Sequence, residues 1–193
     1  MNRILEALCA LVILILVNGS AQAADKNKDQ LILAHLRGFQ EVPSVSTPAT
    51  GEFRAVISKD EQSIVYELRY SGLQNTISQS HIHFGQRSVN GSIVIWLCTT
   101  AAITTAPPGT QTCPQSATGN LPLKGTITSS NVIAASTTSQ LILAGELAEM
   151  IAAIRGGVAY VNIHGLPLNG GGEIRGQIKA TGPKDDSSDQ EDD

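Results

Sequence analysis

The sequence predicts an all-β domain: an antiparallel Greek-key β-sandwich or flattened barrel of about eight strands with one short helix. Three observations lead there. From residue 31 onward, apolar and polar residues mostly alternate with a period of two. Gly, Pro, Asn and Ser gather between those runs. A helical period appears in one stretch only, Leu141 to Arg155. Roughly eight short strands in a domain of about 150 residues suit a sandwich or a barrel, since either shape gives each strand a buried face.

In chain order, Leu31 to Leu36 is a first strand, ended by Gly38 and the Pro43/Pro48 segment. Glu52 to Ser58 sets Phe53, Ala55 and Ile57 on one face, and Ile64, Tyr66, Leu68 and Tyr70 do the same in the next run. Lys59 to Gln62 is a polar link of hairpin length between them. Gln79 to Phe84 is a fourth strand. Asn90-Gly91 after it reads as a type I′ turn, which needs positive φ at both central residues. Ile93 to Leu97 is apolar on both faces and reads as a central strand. Leu121 to Thr128, Val158 to His164 and Glu173 to Lys179 complete the set. Between them, Leu143, Leu147, Met150, Ile151 and Ile154 recur at helical spacing, and Gly156-Gly157 supplies the stop. Gly170-Gly171-Gly172 precedes a strand and reads as a loop allowing a tight or bulged start.

The ends read differently from the body. Residues 1–23 have a basic start, an apolar run from Ile4 to Val17 and Ala21-Gln22-Ala23, the pattern of a secretory signal peptide cut after Ala23. That run is shorter than the roughly 20 residues a membrane span needs, so no stable span is expected after cleavage. Residues 24–30 are a linker, residues 31–180 the β domain, and residues 181–193 an acidic tail with the composition of a solvated, disordered segment. The net charge of −4 belongs to that tail, because residues 31–180 hold nine Lys and Arg against eight Asp and Glu. A nearly neutral body argues against a nucleic-acid binder, which would be basic. The protein is therefore expected to be secreted or periplasmic.

Cleavage removes Cys9 and leaves Cys98 and Cys113, which in an exported chain are most simply a disulfide. Two free thiols or half a metal site are the alternatives, and the lack of a C-x-x-C speaks against zinc at these cysteines.

Chemistry concentrates in two places. His81 and His83 are two apart in a strand and so project to one face, with Cα atoms about 6.6–6.8 Å apart. Asn162 and His164 share a face by the same rule, as do Glu173, Arg175 and Gln177. An H-x-H with a third histidine can bind zinc or copper through imidazole nitrogens, with Glu173 or Asn162 as fourth ligand or behind the ligands. The competing reading is a polar sheet face on which imidazoles and Asn162 satisfy the backbone. His35 has no such company. No G-x-S-x-G occurs, and seven aromatic residues (3 Phe, 3 Tyr, 1 Trp) are too few to line a stacking groove for nucleic acid or extended sugars.

Several segments together resemble the chordin (CHRD) domain family: Phe39-Gln40-Glu41-Val42-Pro43, Thr50-Gly51-Glu52-Phe53, His81-Ile82-His83-Phe84-Gly85, Ile93 to Cys98, Tyr160-Val161-Asn162-Ile163-His164 and Gly172 to Ile178. The chain departs at Gly165, where the family often has Thr, and at Gly170, where it often has Pro. The resemblance spans roughly residues 31–180. It implies an all-β extracellular module of the single-domain exported microbial type, with no established catalysis and an extracellular or envelope ligand as partner. Growth-factor antagonism is not implied, because chordin's cysteine-rich binding repeats are absent. Two functions follow: a non-catalytic binding or structural module, or a zinc or copper protein using His81, His83 and His164 with redox or hydrolytic activity.

Overall fold

The computed structural model describes residues 29–118 and 121–181. The expected leader, nearly all of the linker and the tail beyond residue 181 lie outside the described residues. Eight antiparallel strands run in one nearly closed, barrel-like sheet: β1 (Gln30–Arg37), β2 (Thr50–Ile57), β3 (Ile64–Ser71), β4 (Thr76–Phe84), β5 (Ser92–Thr99), β6 (Leu123–Ile127), β7 (Ala159–Leu166) and β8 (Asn169–Gln177). They stand in the order β5-β4-β7-β8-β1-β2-β3-β6, and a two-residue β9 (Lys179–Ala180) pairs with β1. The helix is α1 (Leu147–Arg155). This is the all-β flattened barrel that the alternating pattern predicts.

The period of two sorts the side chains as expected. Ile32, Ala34 and Leu36 of β1, Phe53, Ala55 and Ile57 of β2, and Ile64, Tyr66, Leu68 and Tyr70 of β3 are all buried. Ile82, Val161, Ile163 and Ile174 extend that core across β4, β7 and β8. Burial of such side chains contributes roughly 1.5–3 kcal/mol each, so the barrel interior supplies the main driving force.

Three local expectations are corrected. First, α1 starts at Leu147, because Leu141 and Gly145 take positive φ (56° and 88°) and break the helical run. Leu143 is consequently solvent-exposed. Second, the β4–β5 connection is not an Asn-Gly turn, for Ser88 takes the positive φ (64°) while Asn90 and Gly91 do not. Asn90 instead donates from Nδ2 to the Val42 carbonyl (3.1 Å). Gly91 is needed for contact, since a Cβ there would overlap the Phe84 carbonyl. Third, β5 is apolar on both faces without being central, because it ends the strand order.

What covers β5 is a clasp. Thr99 pairs with Thr112 and Ile95 with Val132 outside the named strands, and Tyr70 of β3 pairs with Ala117. One segment, residues 111–117, thus reaches from β5 to β3 across the gap left between β5 and β6. Tyr66 also spans that gap, donating from its hydroxyl to the Leu97 carbonyl (3.2 Å). Cys98 and Cys113 form a disulfide that fastens the clasp to β5, with Cα atoms 4.9 Å apart and a sequence separation of 15. Closing a loop of that length stabilises by roughly 3 kcal/mol through the unfolded state. Cys98→Ser/Cys113→Ser is therefore expected to lose about 3 kcal/mol in urea denaturation, with an unchanged far-UV spectrum.

Candidate functional site

Antiparallel pairing of β4, β7 and β8 brings the two chemical clusters into one patch. His81 lies directly opposite Asn162, His83 opposite Tyr160, and Asn162 opposite Arg175. Residues of one parity on three neighbouring strands share a face, so His81, His83, Asn162, His164, Glu173 and Arg175 are assembled by register alone. Two register irregularities interrupt the ladder where β4 meets β5, at Ser80/His81 and Ile82/His83. In β8, Ile163 pairs with Ile174 and Gly165 with Asn169, so Gly170-Gly171-Gly172 bulge out of the ladder as a Gly-rich start allows. Gly172 has φ 125°, open to glycine, and a Cβ there would lie 2.5 Å from Glu41 Oε1.

The face is polar yet sealed. His81 is 0% exposed, His83 and His164 7%, and Arg175 1%. The 85–91 loop folds over it and is tied down by its members. Arg175 donates to the Gln86 carbonyl (3.1 Å), the Val89 carbonyl (2.9 Å) and Asn90 Oδ1 (3.4 Å). Its guanidinium also rests 3.3 Å from the centroid of the Tyr160 ring, which stacks in turn on His83 at 4.6 Å. On the other side Trp96 meets His81 edge-on at 4.6 Å, as their cross-strand pairing requires.

One ring nitrogen from each of His81, His83 and His164 lies within 4.8 Å of the others, the group among the described residues whose donors converge on one point. His81 Nδ1, His83 Nε2 and Asn162 Oδ1 form a triangle with sides of 3.1 Å. His83 Nδ1 sits 2.9 Å from the Gly91 carbonyl, and His164 Nδ1 2.8 Å from the Gly170 carbonyl. Burial is the main reason that all three imidazoles are held toward neutrality: His83 falls to about 4, His81 goes well below its usual value, and His164 is lowered too. Repulsion from His164 further opposes charging both His81 and His83, joined by His83 at His81 and by Arg175 at His83. Neutral imidazole is the form that ligates metals.

Glu173 is placed differently from the candidate ligands. Its Oε1 accepts from Thr47 Oγ1 (2.8 Å) and from the Gln74 amide (2.7 Å), while Oε2 has no partner. It anchors two loops and leaves Asn162 as the oxygen donor beside the imidazoles. His35 is exposed and lies 3.8 Å from Glu52. Sequence reasoning missed Glu41, Trp96 and Tyr160 as neighbours of this face. Glu41 is buried with Oε1 unpartnered, and it lines a cavity of about 290 Å³ with Phe39, Arg87 and Arg175. The available signal was its place in Phe39-Gln40-Glu41-Val42-Pro43, where an acid interrupts an otherwise uncharged run.

An antiparallel barrel with a sealed polar face and a disulfide-held clasp defines an all-β module. The CHRD domain model matches residues 32–178, nearly the whole described body. The chain belongs to the chordin (CHRD) domain family. No curated protein and no solved structure matches it. Among the described residues no helix is long and apolar enough to cross a membrane.

Proposed function

We propose that the protein is an exported, non-catalytic module, secreted or periplasmic, that acts by binding an extracellular or envelope ligand or as a structural unit. The observation that carries this reading is the sealing of the polar face. Catalysis needs a reacting group within hydrogen-bond reach of a substrate, and here His81, His83, Asn162, His164, Glu173 and Arg175 are all buried. A redox or hydrolytic enzyme built on the histidines would need a path that the 85–91 loop covers. The disulfide supports export, because such bonds persist in oxidising compartments and are rare in the cytosol. Family membership supports the module reading from a second side.

Cell fractionation followed by intact-mass spectrometry tests it. The expected species is a chain beginning at Ala24, outside the cytoplasm, two hydrogens lighter than its reduced form. A full-length cytoplasmic chain with free Cys98 and Cys113 would sink the reading.

A further inference from the structure

We propose that His81, His83 and His164 hold one borderline transition-metal ion, Zn(II) or copper, with Asn162 Oδ1 completing a closed four-ligand site. This goes beyond the module reading and rests on counting protons in a buried cluster.

A carbonyl oxygen only accepts, so the Gly91 and Gly170 carbonyls place the ring protons of His83 and His164 on Nδ1. Both Nε2 atoms are then bare. Asn162 Oδ1 adds another acceptor, 3.1 Å from both His81 Nδ1 and His83 Nε2. The only proton left for these three acceptors is the single one on His81. If it sits on Nδ1 it serves the triangle, and His81 Nε2 is a bare nitrogen, buried and without a partner. If it sits on Nε2, that N–H has no acceptor and three lone-pair atoms meet at 3.1 Å. Turning the Asn162 amide to donate from Nδ2 would satisfy the triangle, yet His164 Nε2 would still be buried without a partner. Every arrangement leaves at least one buried imidazole lone pair, that of His164 Nε2, without a partner, and a burial this complete makes that costly.

A cation supplies that partner. Imidazole nitrogens and an amide oxygen suit zinc and copper, and the two carbonyls hold the ring tautomers in the way that outer partners of ligating histidines do. For bonds of about 2.0–2.1 Å, ligands around a tetrahedral ion stand roughly 3.4 Å apart. The triangle is already close to that spacing, and the widest separation among the three imidazole nitrogens, 4.8 Å, would close by roughly 1.4 Å on binding. Four protein ligands in a buried site leave no open position, so the ion would serve stability rather than chemistry.

The test uses the untagged mature protein, stripped with chelator, incubated with excess zinc or copper sulfate, desalted and analysed by ICP-MS. The expected result is one ion per chain and a melting temperature raised by roughly 5–10 °C at saturating zinc. His164→Gln and His81→Ala/His83→Ala should fall to background, and Asn162→Ala should bind about 10–100-fold more weakly. Wild-type protein that is folded by circular dichroism yet takes up neither ion overturns the proposal, even where the variants do not fold. Full occupancy retained in the double variant overturns it as well.

Discussion

Arg175→Ala is expected to cost about 4 kcal/mol of folding stability, the largest loss from any single side chain of the polar face. The guanidinium is 1% exposed and makes three hydrogen bonds to the 85–91 loop while lying over Tyr160. Hydrogen bonds from a charged donor are worth about 1.5–3 kcal/mol, a desolvated cation–π contact about 2, and the space left under the loop adds a cavity cost. Water reaching the exposed loop residues offsets part of this, which is why the sum is not larger. Arg175→Lys should recover less than half, because an ammonium cannot span the same three acceptors from one plane. Urea denaturation gives the magnitude. Hydrogen exchange gives the location: protection should fall first at the Gly91 amide, which donates to the Tyr160 hydroxyl, and last in β1–β3.

Glu41→Gln is expected to stabilise the protein by about 3 kcal/mol at pH 8 and to do little at pH 4. Burial raises the Glu41 carboxyl from 4.5 to about 7, against a downward pull from Arg175 and the Val42 amide. A folded-state value above the unfolded one means that the folded protein binds the extra proton. Stability is therefore undiminished below pH 4.5, declines as pH rises, and stays low above pH 7. A difference of about 2.5 pH units corresponds to about 3 kcal/mol. The wild-type profile alone would hide this, since His83 runs the opposite way. Its folded-state value of about 4 lies below 6.5, so stability from that residue grows as pH rises from 4 to 6.5. Subtracting the variant's profile isolates Glu41, and a difference that is flat from pH 4 to 8 would refute the assignment. Arg175 couples the two results: its removal should push the Glu41 carboxyl higher still.

Strand positions were legible because the period of two is enforced by one buried face. Phe53, Ala55, Ile57, Ile64, Tyr66 and Leu68 follow it without exception. The grouping of His81 and His83, and of Asn162 with His164, was legible for the same reason. Residue type alone placed His81, His83 and His164 in one candidate set; the β4–β7 pairing that unites them was not legible, because register depends on contacts some 80 residues apart. The Asn90-Gly91 turn failed where tertiary demands override local preference, as both residues are spent on Val42 and the Phe84 carbonyl. β5 misled by its composition. A strand with an apolar outer face can lie at the end of a sheet when another segment lies along it. Glu41 carried only a weak local signal, a lone acid in the uncharged run Phe39–Pro43, because the packing of its carboxyl on Gly172 is a contact distant in sequence.

The clasp over the gap between β5 and β6 has a consequence beyond its share of the folding energy. A sheet that stops short of closing exposes two rows of backbone donors and acceptors, and such rows recruit further strands from neighbouring molecules. Residues 111–117 occupy part of them: the Thr99 amide donates to the Gln111 carbonyl, the Cys113 amide to the Thr99 carbonyl, and the Tyr70 amide to the Ala117 carbonyl. Gln111 Nε2 also occupies the Lys124 carbonyl of β6. The Cys98–Cys113 bond ties this cover to the barrel. Reduction would leave each molecule with a template for polymerisation, and assembly would then grow with protein concentration. The bridge thus keeps residues 111–117 lying over those rows.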